Sequence, residues 1–142
     1  MALHELIYVS LAARPMDTAA LTNLLDQARA YNQRHGITGM LIYHGQEFLQ
    51  LIEGEEAEVM ALYEAVWKDP RHQQIYKMWD APIAERSFRC WAMGFVAPGE
   101  AALQDRPGYD ALLAQGLAAS SQGSKGKKIL CKLRDDFLAT QP

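Results

Sequence analysis

The segment GMLIYHGQEFLQLIEG, residues 39–54, restricts the fold more than any other part of the chain. Two largely apolar runs, residues 40–43 and 47–52, flank the dipeptide His44-Gly45. A dipeptide of this kind tolerates the positive φ that a tight hairpin turn needs. The pattern therefore predicts a β-hairpin, and the chain must supply further strands and helices to cover it.

The second strand of this hairpin carries a polar residue where an apolar one is expected. Side chains alternate across a strand, so Phe48, Gln50 and Ile52 share one face, while Leu49 and Leu51 share the other. Both faces are otherwise apolar. Gln50 is therefore a hydrogen-bonding side chain that the pattern places in an interior.

Hydrophobic spacing and turn residues predict the other elements. We expect a strand over residues 3–10, and a helix that is capped by Asp17 or Thr18 and runs to about Arg34, before Gly36. A second helix follows Gly54 and ends before Pro70, with an apolar stripe of Val59, Leu62, Tyr63, Val66 and Trp67. Two further strands are expected over residues 74–79 and 90–96.

The order βαββαββ predicts an α+β, ferredoxin-like sandwich with a five-stranded mixed sheet and two helices on one face. In this topology the first and third strands are neighbours at the sheet centre. We expect residues 1–97 to form this domain and residues 98–142 to form a helical appendage on the other face. Ile129, Leu130, Leu133 and Phe137 mark the amphipathic final helix.

Composition excludes several classes of protein. The 142 residues are 49% hydrophobic and 22% charged, as in an ordinary globular domain. A net charge of -3 gives no reason to expect nucleic acid as a partner. Cys90 and Cys131 are too few for a zinc site, so no metal is expected. Neither a signal peptide nor a long apolar run is present, which predicts a cytoplasmic protein that does not bind membranes.

Three hydrogen-bonding side chains should meet in the interior between the sheet and the helices. Tyr8 shares a strand face with Leu6, beside the strand of Gln50, and Asn32 ends the buried stripe of the first helix. Leaving such groups unpaired costs roughly 1 to 3 kcal/mol each. They must therefore bond to one another or to a ligand, and the residue pattern alone leaves both alternatives open.

Five segments together resemble the BLUF family, blue-light sensors that use flavin. They are LIYVS (6–10), YNQRHGITGMLIY (31–43), FLQLIEG (48–54), KDPRH (68–72) and CWAMGFV (90–96). The resemblance spans about residues 3–97 in unbroken order. It implies a noncovalently bound FAD between the two helices, with the edge of its ring toward the central strands.

The resemblance also implies roles for individual residues. Tyr8 matches the photochemical electron donor, Gln50 the glutamine that bridges it to the flavin, and Asn32 an asparagine that holds the polar edge of the ring. Rotating or tautomerising Gln50 would change which neighbour receives its hydrogen bond. Further residues match positions around the ring (Tyr31, Ile37, Asp69, Arg71 and His72) and a signalling pair on the fifth strand (Trp91 and Met93). For Arg71 and His72, an exposed turn after Pro70 is an equally good interpretation.

The function implied is a photoreceptor and not an enzyme. Blue light would drive electron and proton transfer from Tyr8 to the flavin, and a rearranged Gln50 would give a reversible, red-shifted signalling state. The signal would pass to a partner protein in trans or to a homo-oligomer. Two alternatives remain: a flavin-dependent redox protein, for which Cys90 is the candidate reactive group, and a flavin-free ferredoxin-like ligand-binding module.

Overall fold

The structure is a computed structural model that describes residues 2–44, 46–87 and 94–96. Its elements follow the order β1 (Leu3–Ala12), α1 (Thr18–His35), β2 (Thr38–His44), β3 (Glu47–Glu55), α2 (Glu56–Lys68), β4 (His72–Ile83) and β5 (Gly94–Val96). Cys90, Trp91, Met93 and the helices expected within residues 98–142 lie outside the described residues. The predicted α+β fold with two helices is confirmed, and four of its strands, β1 to β4, form an antiparallel sheet.

The sheet has the strand order β4-β1-β3-β2-β5. As predicted, β1 and β3 are neighbours at its centre, and they are antiparallel with Tyr8 opposite Gln50. The pairs β1–β4 and β2–β3 are also antiparallel, whereas β2 pairs with the short β5 in parallel. Side chains of the same parity along β1 and β3 therefore face the same side of the sheet.

Both helices pack on the sheet face that carries Tyr8. Leu21 and Leu25 of α1 and Val59 of α2 belong to one buried cluster with Leu6 and Ile52. Burying each such aliphatic side chain contributes roughly 1.5 to 3 kcal/mol. This packing fixes the two helices above the strands that carry Tyr8 and Gln50.

The ends of α1 form as the sequence predicts. The side chain of Asp17 accepts a hydrogen bond from the backbone N–H of Ala20 at 2.8 Å, which caps the N-terminus. Gly36 takes a left-handed conformation with φ of 66°, which a glycine adopts at little cost, and ends the helix. The predicted end at about Arg34 is therefore one residue short of His35.

The opposite face of the sheet is largely apolar as well. Beside the buried carboxylates Glu5 and Glu53, its buried apolar side chains come from the three central strands and are Ile7, Met40, Ile42, Leu49 and Leu51. The hairpin strands therefore present apolar residues to both faces of the sheet, as the sequence predicts. Coverage of this face by helices from residues 98–142 stays a prediction.

The fourth strand differs from its prediction. Residues 74–79 were expected to form it, but β4 extends from His72 to Ile83 and includes Pro82. Proline is tolerated because β4 pairs only with β1 among the described strands and lies at an edge. Two irregularities in the pairing with β1, one of them beside Gln74 with its φ of 52°, also interrupt the alternation that marks a strand.

One residue of the apolar stripe predicted for α2 is not in the core. Val59 and Val66 are buried, and Leu62 and Tyr63 pack against the core, but the side chain of Trp67 is 57% exposed. Trp67 lies at the edge of the stripe, where helical spacing alone does not separate buried from exposed positions.

Candidate functional site

A cavity of about 320 Å³ lies between α1 and α2, above the central strands. Its apolar wall comes from both helices and from β2, and comprises Leu24, Ala28, Leu41, Leu62 and Val66. Its polar wall includes most of the residues that the sequence singled out: Tyr8, Tyr31, Asn32, Gln50, Asp69, Arg71 and His72. A mostly apolar hollow with a few convergent polar groups is the usual form of a small-molecule site.

Tyr8 and Gln50 form the floor of this cavity. They lie directly opposite each other in the β1–β3 ladder, and the Tyr8 hydroxyl donates a hydrogen bond to Oε1 of Gln50. Burial raises the pKa of Tyr8 well above its usual range, and electrostatic repulsion from the side chains of Asp69 and Tyr63 raises that pKa further. Tyr8 is therefore a neutral phenol that holds its proton in the bond to Gln50.

Asn32 reaches the same cavity from the C-terminal part of α1. Its side chain is buried, and its backbone carbonyl accepts hydrogen bonds from the N–H groups of Gly36 and Ile37. These bonds close the end of the helix directly below the asparagine and hold it in place. The structure thus brings together the three polar side chains that the sequence predicted to converge.

Arg71 lies at the edge of the cavity and joins the segment after α2 to α1. Its guanidinium donates to the carboxylate of Asp69, from Nη2 at 2.7 Å and from Nε at 3.1 Å, and to Oε1 of Gln27 on α1 at 2.8 Å. Desolvation alone would raise the pKa of Asp69, but the bonds and charge of Arg71 outweigh it and lower that pKa. Asp69 is thus ionised, and both residues line the cavity.

His72 begins β4 and is held from two sides. Its Nδ1 lies 3.0 Å from Oγ of Ser10, and its ring centre lies 4.9 Å from that of Phe48. Burial lowers the pKa of His72, the charge of Asp69 opposes this effect, and the charge of Arg71 adds to it. Near neutral pH the imidazole is therefore uncharged.

The remaining predicted residues have different positions. Tyr31 lines the cavity, and its ring stacks on that of His35 with centres 4.2 Å apart. Ile37 is 1% exposed and belongs to the core cluster, outside the wall of this cavity. Trp91 and Met93 lie outside the described residues, so their expected signalling role stays a prediction.

A buried polar network on the other face of β3 was missed by the sequence reasoning. Glu53 is 0% exposed, and its carboxylate accepts from Oγ1 of Thr38 at 3.3 Å and from the backbone N–H of Ser87 at 2.7 Å. Arg86 donates to Oγ1 of Thr38 at 3.0 Å and to the carbonyl of Gly36 at 2.6 Å. The sequence does contain a signal for this network, because Glu53 is an acidic residue in an otherwise largely apolar strand.

Within residues 2–44, 46–87 and 94–96, no group of three or more His, Cys, Asp or Glu side chains is arranged to hold a metal ion. No helix in this part of the chain is long and apolar enough to cross a membrane.

The fold and the cavity define a small α+β domain with a ligand site between its two helices. The chain belongs to the BLUF family, whose description is "Sensors of blue-light using FAD", because the family model matches residues 3–94. The family resemblance in the sequence is thereby confirmed, and FAD is the cofactor that this family binds.

Individual relatives agree with this assignment. The chain is 37% identical over 83 residues to a photoactivated adenylate cyclase subunit alpha from Euglena gracilis, covering 58% of this chain and 8% of that protein. It is 33% identical over 76 residues to the blue light- and temperature-regulated antirepressor BluF of Escherichia coli K12, covering 54% and 19%. The chain thus spans only a small part of these curated relatives.

A solved structure matches nearly the whole chain. The dark-state structure of BlrB, a BLUF protein, superposes with a TM-score of 0.70 at 30% identity and covers 99% of this chain and 98% of its own.

Proposed function

We propose that this chain is a blue-light photoreceptor that holds FAD noncovalently in the cavity between α1 and α2, and that Tyr8 and Gln50 form its photochemical switch. The observation that carries the proposal is the buried hydrogen bond from Tyr8 to Gln50 on the cavity floor. A tyrosine that can be oxidised is there joined to an amide that can reverse its hydrogen bonding.

The residues present suit a flavin. Its ring has apolar faces and one edge with alternating hydrogen-bond donors and acceptors. Leu24, Leu62 and Val66 supply apolar walls, while the amides of Asn32 and Gln50 each offer an acceptor oxygen and a donor nitrogen. The ion pair of Arg71 and Asp69 adds charged hydrogen-bonding groups at the cavity edge. Bound flavin would supply absorption of blue light and a strong electron acceptor in its excited state.

The response of the chain follows from the chemistry of Tyr8 and Gln50. A phenol that loses an electron becomes a strong acid, so Tyr8 would pass its proton along the bond to Gln50. The amide would then rotate or tautomerise, and its donor and acceptor ends would exchange neighbours. When Tyr8 recovers its electron and proton, Gln50 remains in the new arrangement until darkness resets it. No substrate is consumed in this cycle.

The signal would leave through the strand that carries Gln50. Glu53 follows Gln50 on β3 but points to the other face, where it binds Thr38 and Ser87. Trp91 and Met93 are the proposed signalling pair on the fifth strand of a five-stranded sheet. Helices from residues 98–142 would cover the far face of this sheet. The receiver would be a second copy in a homo-oligomer or a cytoplasmic signalling protein in trans. The names of the relatives, a photoactivated cyclase and a light-regulated antirepressor, support control of an effector by light.

The test is the absorption spectrum of the FAD-loaded protein in darkness, under blue light and during recovery. We expect a small red shift that reverses in the dark without bleaching, and we expect Gln50→Leu to keep the flavin and lose the shift. Phe48→Leu, a core change on the same strand face, is the matched control and should retain it. A wild-type red shift in Gln50→Leu would contradict the switch. Steady oxidation of NAD(P)H would instead favour a redox protein.

A further inference from the structure

The aromatic rings of Tyr8, Tyr63 and Trp67 form a series from the cavity floor to the protein surface. The ring centres of Tyr8 and Tyr63 are 5.7 Å apart, and those of Tyr63 and Trp67 are 6.3 Å apart. Tyr63 and Trp67 are four residues apart on α2, the spacing that brings helical side chains into contact. The exposed fraction of the residues rises along this series, from 1% at Tyr8 to 57% at Trp67, with Tyr63 partly buried between them.

All three rings of this series can be oxidised. Phenol and indole rings give up an electron more readily than other uncharged side chains, whereas the phenyl ring of phenylalanine does not. Electron transfer weakens steeply with distance, so two steps between neighbouring rings are faster than one step across the full separation. The order tyrosine, tyrosine, tryptophan therefore provides a path by which an electron can enter from the surface.

We propose that Tyr63 and Trp67 form an electron relay that refills oxidised Tyr8 from the surface of α2, so that the protein also catalyses a light-driven one-electron oxidation of small reductants. The proposal rests on the proposed function for its first step, in which Tyr8 loses an electron to photoexcited flavin and its proton to Gln50. The substrate class is a one-electron donor in solution, such as a thiolate or ascorbate, and dissolved oxygen is the terminal electron acceptor that would regenerate the flavin.

The relay balances in electrons and protons. Tyr8 takes an electron from Tyr63 and recovers its own proton from Gln50, which restores the phenol. Tyr63 releases its phenolic proton to water when it is oxidised, and it takes a proton back when Trp67 refills it with an electron. Trp67 releases its indole N–H proton to water and becomes a neutral radical, until the external donor supplies an electron and water returns the proton. In total, one electron passes from the donor to the flavin, and every side chain of the relay ends with as many protons as it had at the start.

The relay competes with direct return of the electron to Tyr8. Direct return completes the photoreceptor cycle, whereas a transfer from Tyr63 leaves the electron on the flavin and moves the oxidised site to Trp67. The two outcomes share their first step and then separate. Radical character at Trp67, and the part of its oxidation that depends on Tyr63, are thus products of the relay and not of the reversible cycle.

The experiment uses the full FAD-loaded chain under blue light in air, without added reductant, and measures oxygen addition at Trp67 by peptide mass spectrometry. The key variant is Tyr63→Phe, which keeps a ring in place but breaks the relay. Trp67 stays equally exposed to diffusing oxidants in this variant, so we expect its oxidation to fall several-fold. Tyr76→Phe, which removes another tyrosine that is 66% exposed, is the matched control and should change nothing.

Equal oxidation of Trp67 in the wild type and in Tyr63→Phe would overturn the relay. A second readout is the transient spectrum of a neutral indole radical, which Trp67→Phe should remove while keeping the reversible red shift. If the red shift occurs but Trp67 is neither oxidised nor a radical, the relay is wrong and the photoreceptor stands. If oxidation depends on Tyr63 but no red shift occurs, the switch is wrong and the relay stands.

Discussion

The hydroxyl of Tyr8 donates a hydrogen bond to Oε1 of Gln50, its direct neighbour in the β1–β3 ladder. A slip of one residue between these strands would turn the two side chains to opposite faces of the sheet. The register that buries Leu6 and Ile52 beside each other is therefore the same register that builds the cavity floor. Core packing and the proposed switch depend on one pairing.

Replacing Tyr8 by phenylalanine separates the packing role of this residue from its chemical role. A phenyl ring fills nearly the same space, but Gln50 loses a donor within a buried site. We expect Tyr8→Phe to lower the free energy of unfolding by about 1 to 3 kcal/mol, to retain flavin, and to lose the red shift. Denaturant titration and light-minus-dark spectra measure both effects. A red shift of wild-type size would show that another residue supplies the electron.

The raised pKa of Tyr8 predicts a loss of stability in alkali. The unfolded chain releases the Tyr8 proton near pH 10, while the folded protein holds it to a higher pH. Above about pH 10 the unfolded state thus binds fewer protons than the folded state, and stability falls as pH rises, by at most about 1.4 kcal/mol per pH unit. The unfolding free energies of the wild type and Tyr8→Phe should therefore converge with rising pH. Parallel curves would contradict this expectation.

The convergence of Tyr8, Gln50 and Asn32 could be predicted because it depends only on short-range periodicity. Alternation along β1 and β3 and the 3.6-residue repeat of α1 assign each side chain to a face. Pairing the two strands side by side then brings the faces together. Each step uses residues close in sequence, and the βαββ order supplies the rest.

Other parts of the site could not be predicted because they depend on pairs far apart in sequence. Arg71 bonds to Gln27, which lies 44 positions earlier, and no local pattern at either residue indicates the partner. Arg86 and Thr38 are 48 positions apart. The 57% exposure of Trp67 likewise does not follow from its place in the helical repeat.

The lowered pKa of His72 predicts an effect of mild acid on stability. As pH falls below about 6.5, the unfolded chain takes up a proton at this residue before the folded protein does. The unfolded state then binds more protons, so stability decreases with falling pH until the folded pKa is passed. His72→Gln has no such proton, and its loss of stability between pH 6.5 and lower values should be smaller. Identical pH dependence in thermal or denaturant unfolding would contradict the prediction.

Arg86 should stabilise the end of α1 and the neighbouring strands together. Its guanidinium donates to the carbonyl of Gly36 and to Thr38, so Arg86→Ala removes bonds from the helix that carries Asn32. We expect a loss of about 1 to 3 kcal/mol in the free energy of unfolding. Amide exchange at Gly36 and Ile37, whose N–H groups close that helix end, should become faster.

The matched control for Arg86 is Arg14→Ala. Arg14 is exposed in the segment between β1 and α1, and surface substitutions of this kind usually change stability by less than about 0.5 kcal/mol. Arg86→Lys should recover only part of the loss, because an ammonium lacks the planar fork that reaches two acceptors at fixed angles. If the amides of Gly36 and Ile37 exchange at the wild-type rate in Arg86→Ala, Arg86 does not hold the helix end, and its bonds are incidental to the site.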